Sequence, residues 1–253
     1  MNKIAMITGA TAGIGKATAY KFAKEHYDLI LTGRREGLLD AVSNDLQHTY
    51  GIKVHKLKLD VRDKTDVEKQ INALPYEWKK INVLVNNAGL AVGLHPIQEG
   101  IIDDWERMID TNIKGLLYIS RAVSPFMIEN GKGHIVNIGS IAGRDAYANG
   151  NVYCGTKAAV DAITKGMRID LLKYGIKVTL IEPGAVETEF SVVRFKGDKE
   201  RADNVYKGFT PLFAEDIADT IYYVCSLPQH VNINDLLIVP TAQAAATIID
   251  KIL

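Results

Sequence analysis

Short apolar runs alternate with longer stretches in which apolar residues recur every three or four positions, and the alternation runs the length of the chain. A run of a few consecutive apolar residues suits a strand buried on both faces, whereas the longer spacing gives a helix one apolar stripe. On this reading strands occupy residues 3–8, 27–32, 54–59, 81–85, 135–138, 177–181 and 236–239. Helices are expected from residue 16, over 63–74, as one long helix around 105–127, and over 152–171. Strands spaced by helices predict the α/β class: a doubly wound parallel sheet with right-handed crossovers and helices on both faces. Ligands of such sheets bind beyond the carboxyl ends of the strands. The polar signals of this chain fall there, since the Gly9 turn, Arg34, Asp60, Asn86 to Gly89, Ser140 and Pro183-Gly184 each follow a strand-like run.

Composition narrows the possibilities without pointing to a reaction. At 253 residues, with no Gly, Pro or Ser-rich linker, no charge run and no short repeat, a single domain over residues 1–253 is expected. Lys plus Arg equals Asp plus Glu at 30 each, so no general basic field would gather nucleic acid or an anionic membrane, and a small-molecule partner is expected. The first apolar run is too short for a signal peptide and leads straight into a glycine turn, and no run reaches membrane-spanning length. The two cysteines, Cys154 and Cys225, lie far apart, make no metal-ligand spacing and fit a cytoplasmic location. No metal is expected.

Candidate chemistry begins with Tyr153 and Lys157, whose spacing puts a phenol and an ammonium on one helix face. A phenol with a reference pKa of about 10 exchanges protons poorly at neutral pH, and a nearby cation favours its ionised form. Upstream, Gly-His-Ile-Val-Asn-Ile-Gly-Ser ends a strand at Ser140, which places a hydroxyl at the same edge. The turn Gly9-Ala10-Thr11-Ala12-Gly13-Ile14-Gly15 joins the first strand to the first helix. Its glycines allow close backbone approach, so a pyrophosphate can rest on free amides at the positive end of that helix. After the second strand, where a carboxylate would select NAD by binding the ribose hydroxyls, the chain has Gly33-Arg34-Arg35. Two guanidinium groups suit a 2′-phosphate, so NADP (NADPH) is favoured over NAD.

These residues, taken together, resemble the short-chain dehydrogenases/reductases over essentially the whole chain: Thr8-Gly9-x-x-x-Gly13-Ile14-Gly15, Asp60-Val61, Asn86-Asn87-Ala88-Gly89, Asn112, Ser140, Tyr153-x-x-x-Lys157 and Pro183-Gly184 stand in the family's order. The resemblance implies a Rossmann fold and a tetrad of Asn112, Ser140, Tyr153 and Lys157. It also implies that Asp60 and Val61 hold adenine and that Asn87, with Ala88 and Gly89, lies along the cofactor. Pro183, Gly184 and Val186 would border the nicotinamide, with Thr188 meeting its carboxamide. In the implied mechanism Ser140 orients the substrate oxygen and Tyr153 exchanges the proton. Lys157 lowers the Tyr153 pKa and bonds the nicotinamide ribose, and Asn112 holds the water through which Lys157 reaches solvent.

The segment at about 187–212 is similar to the lid of the NADP-dependent 3-hydroxy acid dehydrogenases, which oxidise serine, allo-threonine and related hydroxy acids. Such a substrate carries a carboxylate that wants a cation, and Arg194 in the lid or Arg144 after Ser140 could supply one. Two other readings compete. A 3-oxoacyl-carrier-protein reductase or other carbonyl reductase shares the fold and tetrad, but the carrier-protein enzyme usually ends in a glycine-rich segment, where this chain has Asn234-Asp235-Leu236-Leu237-Ile238-Val239-Pro240-Thr241. A module that senses NADP without chemistry would lack part of the tetrad. The family commonly forms homotetramers through the helices expected here around 105–127 and 152–171.

Overall fold

Ile4 and Met6 face one layer of the core while Ala5 and Ile7 face the other, the period-two alternation of a strand buried on both sides. The computed structural model describes residues 2–252. In it β1 (Ile4–Ile7), β2 (Asp28–Gly33), β3 (Val54–Lys58), β4 (Ile81–Asn86), β5 (Gly133–Ile138), β6 (Ile176–Pro183) and β7 (Asp235–Ile238) form a sheet in the order β3-β2-β1-β4-β5-β6-β7. Every neighbouring pair is parallel. Helices α1 (Gly13–Lys24) and α2 (Glu36–Tyr50) bury Phe22 and Leu46 against one face, joined there by Ile221 of the late helix Ala214–Ser226. On the other face Ile71 of α3 (Lys64–Asn72) and Val123 of the helix Leu116–Glu129 pack on Met6, Ile30 and Leu84.

The chain order reverses direction between β1 and β4, and the crevice beyond their carboxyl ends is the switch point at which this architecture binds ligands. One helical expectation is corrected. Instead of one helix around residues 105–127 there are α4 (Ile102–Ile109) and α5 (Leu116–Glu129), joined by a π-helical turn over Asp110–Gly115. Two tertiary contacts account for the wider turn. Asn112 is drawn inward to bond the main chain at Leu90, and a Cβ on Gly115 would sit 2.6 Å from Val61 Cγ2, so the turn lies flat on that side chain. The remaining helices are α6 (Asn151–Leu171), the short α7 (Phe190–Arg194) and α8 (Lys199–Asn204) in the predicted lid, and α9 (Ala214–Ser226). A two-stranded antiparallel hairpin of β8 (Gln243–Ala245) and β9 (Ile248–Ile249) follows β7. Among the described residues no helix is long and apolar enough to cross a membrane, and no cluster of His, Cys, Asp and Glu is gathered as a metal site would need.

Candidate active site

A cavity of about 700 Å³ opens at the switch point, within the size range of cofactor and small-molecule sites. Its floor is the glycine turn. The first hydrogen bond of α1 runs from Lys16 N–H to the Ala12 carbonyl, which leaves the amides of Gly13, Ile14 and Gly15 without intrahelical partners. Ala12 offers no side-chain cap, and the first turn contains no acidic residue, so the helix start is open to an anion. Close packing requires the glycines: a Cβ on Gly15 would collide with the Gly9 carbonyl oxygen, and Gly9 itself has φ 68°. Gly9, Thr11, Ala12, Gly13 and Ile14 line the cavity. Ala10 does not, its side chain being buried in the core, and Gly15 lies behind the turn.

Arg34 and Arg35 border the cavity's outer end. Arg35 donates to Thr11 Oγ1 from Nη2 at 3.2 Å and pairs through Nη1 with Glu189 Oε2 at 3.0 Å; Arg34 Nη1 stands 3.9 Å from Asp60 Oδ2. Both arginines and Glu189 are well exposed, so these ion contacts exchange readily for another anion. Asp60 is gripped by Arg62, whose Nε and Nη2 both donate to its carboxylate and whose amide donates to Oδ1. The Asn87 side chain turns back onto the protein, donating to the Thr8 and Gly9 carbonyls, so it fastens the end of β4 to the glycine turn while still lining the cavity. Val61, Ala88, Gly89, Pro183, Gly184, Val186 and Thr188 line the same wall, and Thr188 lies over Gly13.

The candidate acid/base residues meet at the centre. Ser140 follows β5 by two residues in an extended conformation and caps a short helical turn, accepting a hydrogen bond from the Ala142 amide at 3.1 Å. That turn approaches α6 closely because Gly143 has no Cβ; one placed there would be 2.9 Å from the Lys157 carbonyl. Tyr153 and Lys157 lie one helical turn apart on the face of α6 that looks into the cavity, and Ser140 lines the same cavity beside the phenol. Lys157 Nζ donates to the Ile138 carbonyl at 2.8 Å. Asn112 stands one layer behind, its Oδ1 accepting from Leu90 N–H at 2.9 Å and its Nδ2 donating to Leu90 C=O and Thr156 Oγ1. The side chain is fully used there. Asn112 is therefore a post beneath Gly89, where a Cβ would fall 3.3 Å from Asn112 Oδ1 and 3.7 Å from Lys157 Nζ.

Electrostatics differ from the sequence expectation at one point. Burial pushes the Tyr153 phenol up to about 12, and the influences pulling it down are the Arg194 charge and the Ser140 hydrogen bond. The Lys157 ammonium stands 6.0 Å from the Tyr153 ring centre with its hydrogen bond directed at Ile138, and burial drops its own pKa to about 8.

Of the two candidate anion anchors, Arg144 is already spent. It forms an ion pair with Glu182, a buried carboxylate of β6, and does not line the cavity. Arg194 does. Its guanidinium carbon sits 5.0 Å from the Tyr153 ring centre and 5.2 Å from that of Phe190, and its Nη2 donates to Tyr147 Oη at 2.7 Å. Its Nε is buried with no hydrogen-bond partner. The result is a partly buried cation surrounded by three aromatic rings in the cavity that Ser140 and Tyr153 line. Tyr147, Phe190 and Tyr206 of this surround and the hairpin residues Gln243, Ala246 and Thr247 were not predicted from sequence. The aromatic ones had a weak signal in lying next to Tyr153 and within the lid segment. The hairpin had none, because its role follows from Gln243 Oε1 accepting the Ala185 amide across the sheet edge.

Residues 3–199 match the short chain dehydrogenase family. The chain is 48% identical over 244 residues to the NADP-dependent 3-hydroxy acid dehydrogenase of Salmonella typhi, covering 96% of this chain and 97% of that protein. It is 46% identical over 245 residues to sulfoacetaldehyde reductase 2 of Chromohalobacter salexigens, covering 96% of each. Among solved structures, the closed form of serine dehydrogenase complexed with NADP+ superposes with a TM-score of 0.92 at 45% identity, over 96% of this chain and 97% of that one.

Proposed function

The chain belongs to the short-chain dehydrogenase family, and on that premise we propose that it is an NADP-dependent oxidoreductase interconverting a small 3-hydroxy acid and the corresponding 3-oxo acid or semialdehyde. The observation that carries the substrate class is the Arg194 cation, partly buried among Tyr147, Tyr153 and Phe190 in the same cavity as the acid/base residues. A guanidinium with an unpartnered buried N–H favours an anion that completes its hydrogen bonding. The glycine cradle, the free amides of α1 and the Arg34-Arg35 pair fit a dinucleotide bearing a 2′-phosphate.

When bound, NADPH supplies the hydride. The chain's own residues do the rest. Ser140 Oγ fixes the substrate oxygen, and Tyr153 Oη gives it a proton in reduction or takes one in oxidation. Lys157, held by Ile138, presents a cation beneath the phenol and toward the cofactor ribose, with Asn112 and Gly89 setting its surroundings. Arg194 holds the substrate's acid group, which orients the carbinol carbon by its other end. Residues 187–212 act as the lid that brings Arg194 over the site. We also propose a homotetramer assembled through α4, α5 and α6, which leave Ile102, Leu117 and Ile169 exposed on their outer faces.

A panel of serine, allo-threonine, 3-hydroxyisobutyrate, 3-hydroxypropionate, 2-hydroxyethylsulfonate and uncharged alcohols, each with NADP and with NAD, tests the reading. The expected result is turnover of the anionic alcohols with NADP and little with uncharged ones; a preference for uncharged alcohols or for NAD would overturn it. Sulfonate and carboxylate place their charge at the same distance from the carbinol carbon, so their ratio ranks the two head groups. In Arg194→Met the KM for anionic substrates should rise ~10- to 100-fold, the effect of removing one partner of a partly buried charge pair, while uncharged alcohols change little. An unchanged KM removes Arg194 from the site.

A further inference from the structure

Arg194 needs something to hold it over Tyr153, because a five-residue helix in a surface segment does not fix a long side chain by itself. Two contacts besides the bond from Arg194 Nη2 to Tyr147 tie this part of the lid to the body of the protein. The Arg194 carbonyl accepts from Gly93 N–H at 3.0 Å, and Lys196 Nζ lies 2.7 Å from Asp104 Oδ2. Asp104 belongs to α4 and is only 5% exposed, so this carboxylate is almost withdrawn from water. An isolated buried carboxylate is costly, and its presence here calls for a role that a hydrophobic residue could not fill.

The three elements are built to meet. Gly93 has φ 72°, and a Cβ on it would come within 2.9 Å of Asp104 Oδ2, so the backbone that holds the Arg194 carbonyl also touches the carboxylate that holds Lys196. Lys196 has φ 54°, a left-handed conformation that a side-chain-bearing residue adopts at a cost, and Gly197 after it has φ 96°. This reversal turns the Lys196 ammonium back toward α4. Arg107, the other cation near Asp104, stands 3.9 Å from Oδ1 and is nearly half exposed, so Oδ2 is left to Lys196. Asp104, Tyr153 and Arg194 also line one small cleft on the side of the site away from the cofactor cradle.

We propose that Asp104 is a positioning residue for substrate recognition: through Lys196 and alongside Gly93 it sets the register of the lid so that the Arg194 guanidinium meets the acid group of the substrate. The inference rests on the reading of Arg194 as the anion anchor. It gives Asp104 a part in specificity although this residue lies outside the cavity that would hold substrate and cofactor. It also accounts for a buried charge that the proton-transfer chemistry does not use.

Steady-state kinetics on Asp104→Asn, Lys196→Met, the double variant and Asp104→Glu test it, with 3-hydroxypropionate and an uncharged alcohol of similar size as paired substrates. Each single variant should raise the KM for the anion about tenfold, with kcat for the uncharged alcohol and the affinity for NADP held near the parent values. The double variant should be no worse than either single one, as expected for two halves of one interaction, and Asp104→Glu should recover part of the loss. An unchanged anion KM in Asp104→Asn, equal losses on both substrates, or additive single effects would each overturn the proposal. Arg194→Met run in parallel separates the two readings. If it raises the anion KM while Asp104→Asn does not, only the positioning role fails; if it has no effect on that KM, the anchor and the inference built on it both fail.

Discussion

Tyr153→Phe is expected to lose turnover by about 10³-fold or more while still binding NADPH, because it removes the one hydroxyl that can pass a proton to a substrate oxygen held by Ser140. The change is small in structural terms. Tyr153 is 8% exposed and its ring packs against Phe190 at a centroid distance of 5.7 Å, contacts that Phe reproduces. Ser140 stays hydrogen-bonded to the Ala142 amide when the phenol oxygen is removed. No neighbouring acid replaces it. Cys154 is buried in the cluster of Leu90 and Met108, and the Tyr147 hydroxyl is occupied by Arg194 at 2.7 Å. Fluorescence titration should give an NADPH affinity close to that of the parent protein, and single-turnover assays should show the chemical step lost. Near-normal reduction by this variant would remove Tyr153 from the chemistry, and a residual rate abolished only by adding Tyr147→Phe would move the proton to that neighbour.

Much of this site is legible in the sequence because its signals are local. The spacing of Tyr153 and Lys157 fixes one helix face, and the glycines between a strand and a helix fix a turn, whatever the rest of the chain does. The parallel sheet is legible for the same reason, as strand-like runs separated by helical ones admit few arrangements. Features set by distant partners are not. The break between α4 and α5 depends on Asn112 finding Leu90 and Thr156, and no propensity within residues 105–127 announces it. Arg194, with Arg144 as its alternative, is a candidate in the sequence, and Glu182 of β6, which takes up Arg144, removes the alternative. The ionisation of Tyr153 departs from expectation for a related reason. Spacing shows that Lys157 is near, whereas the depth of burial that dominates both groups is a property of the whole packed cleft.

That burial has a consequence for stability as well as for chemistry. Lys157→Met should abolish useful turnover and at the same time make the protein more stable at neutral pH. The Lys157 pKa falls from 10.5 to about 8 through desolvation, so at pH 7 the fold carries an ammonium in a place that disfavours its charge. Below about 8 both folded and unfolded chains hold the proton and the penalty is fully present; between about 8 and 10.5 only the unfolded chain still binds it, so folding becomes more favourable as pH rises through that window. Methionine matches the length of the lysine stem without a charge, and the main loss is the bond to the Ile138 carbonyl. The net gain should be on the order of 1–3 kcal/mol, or roughly 2–12 °C in Tm for a chain of this size. The gain should shrink between pH 7 and pH 10, since the parent protein sheds its penalty there and the variant has none to shed. Thermal melts of both proteins across that range isolate the lysine, because every other titrating group is common to the pair and cancels in the difference. A Tm advantage that stays constant with pH, or a variant less stable than the parent at pH 7, would mean that the ammonium is well solvated or well paired in the fold. The buried cation would then not be a charge kept for its chemistry at the expense of stability.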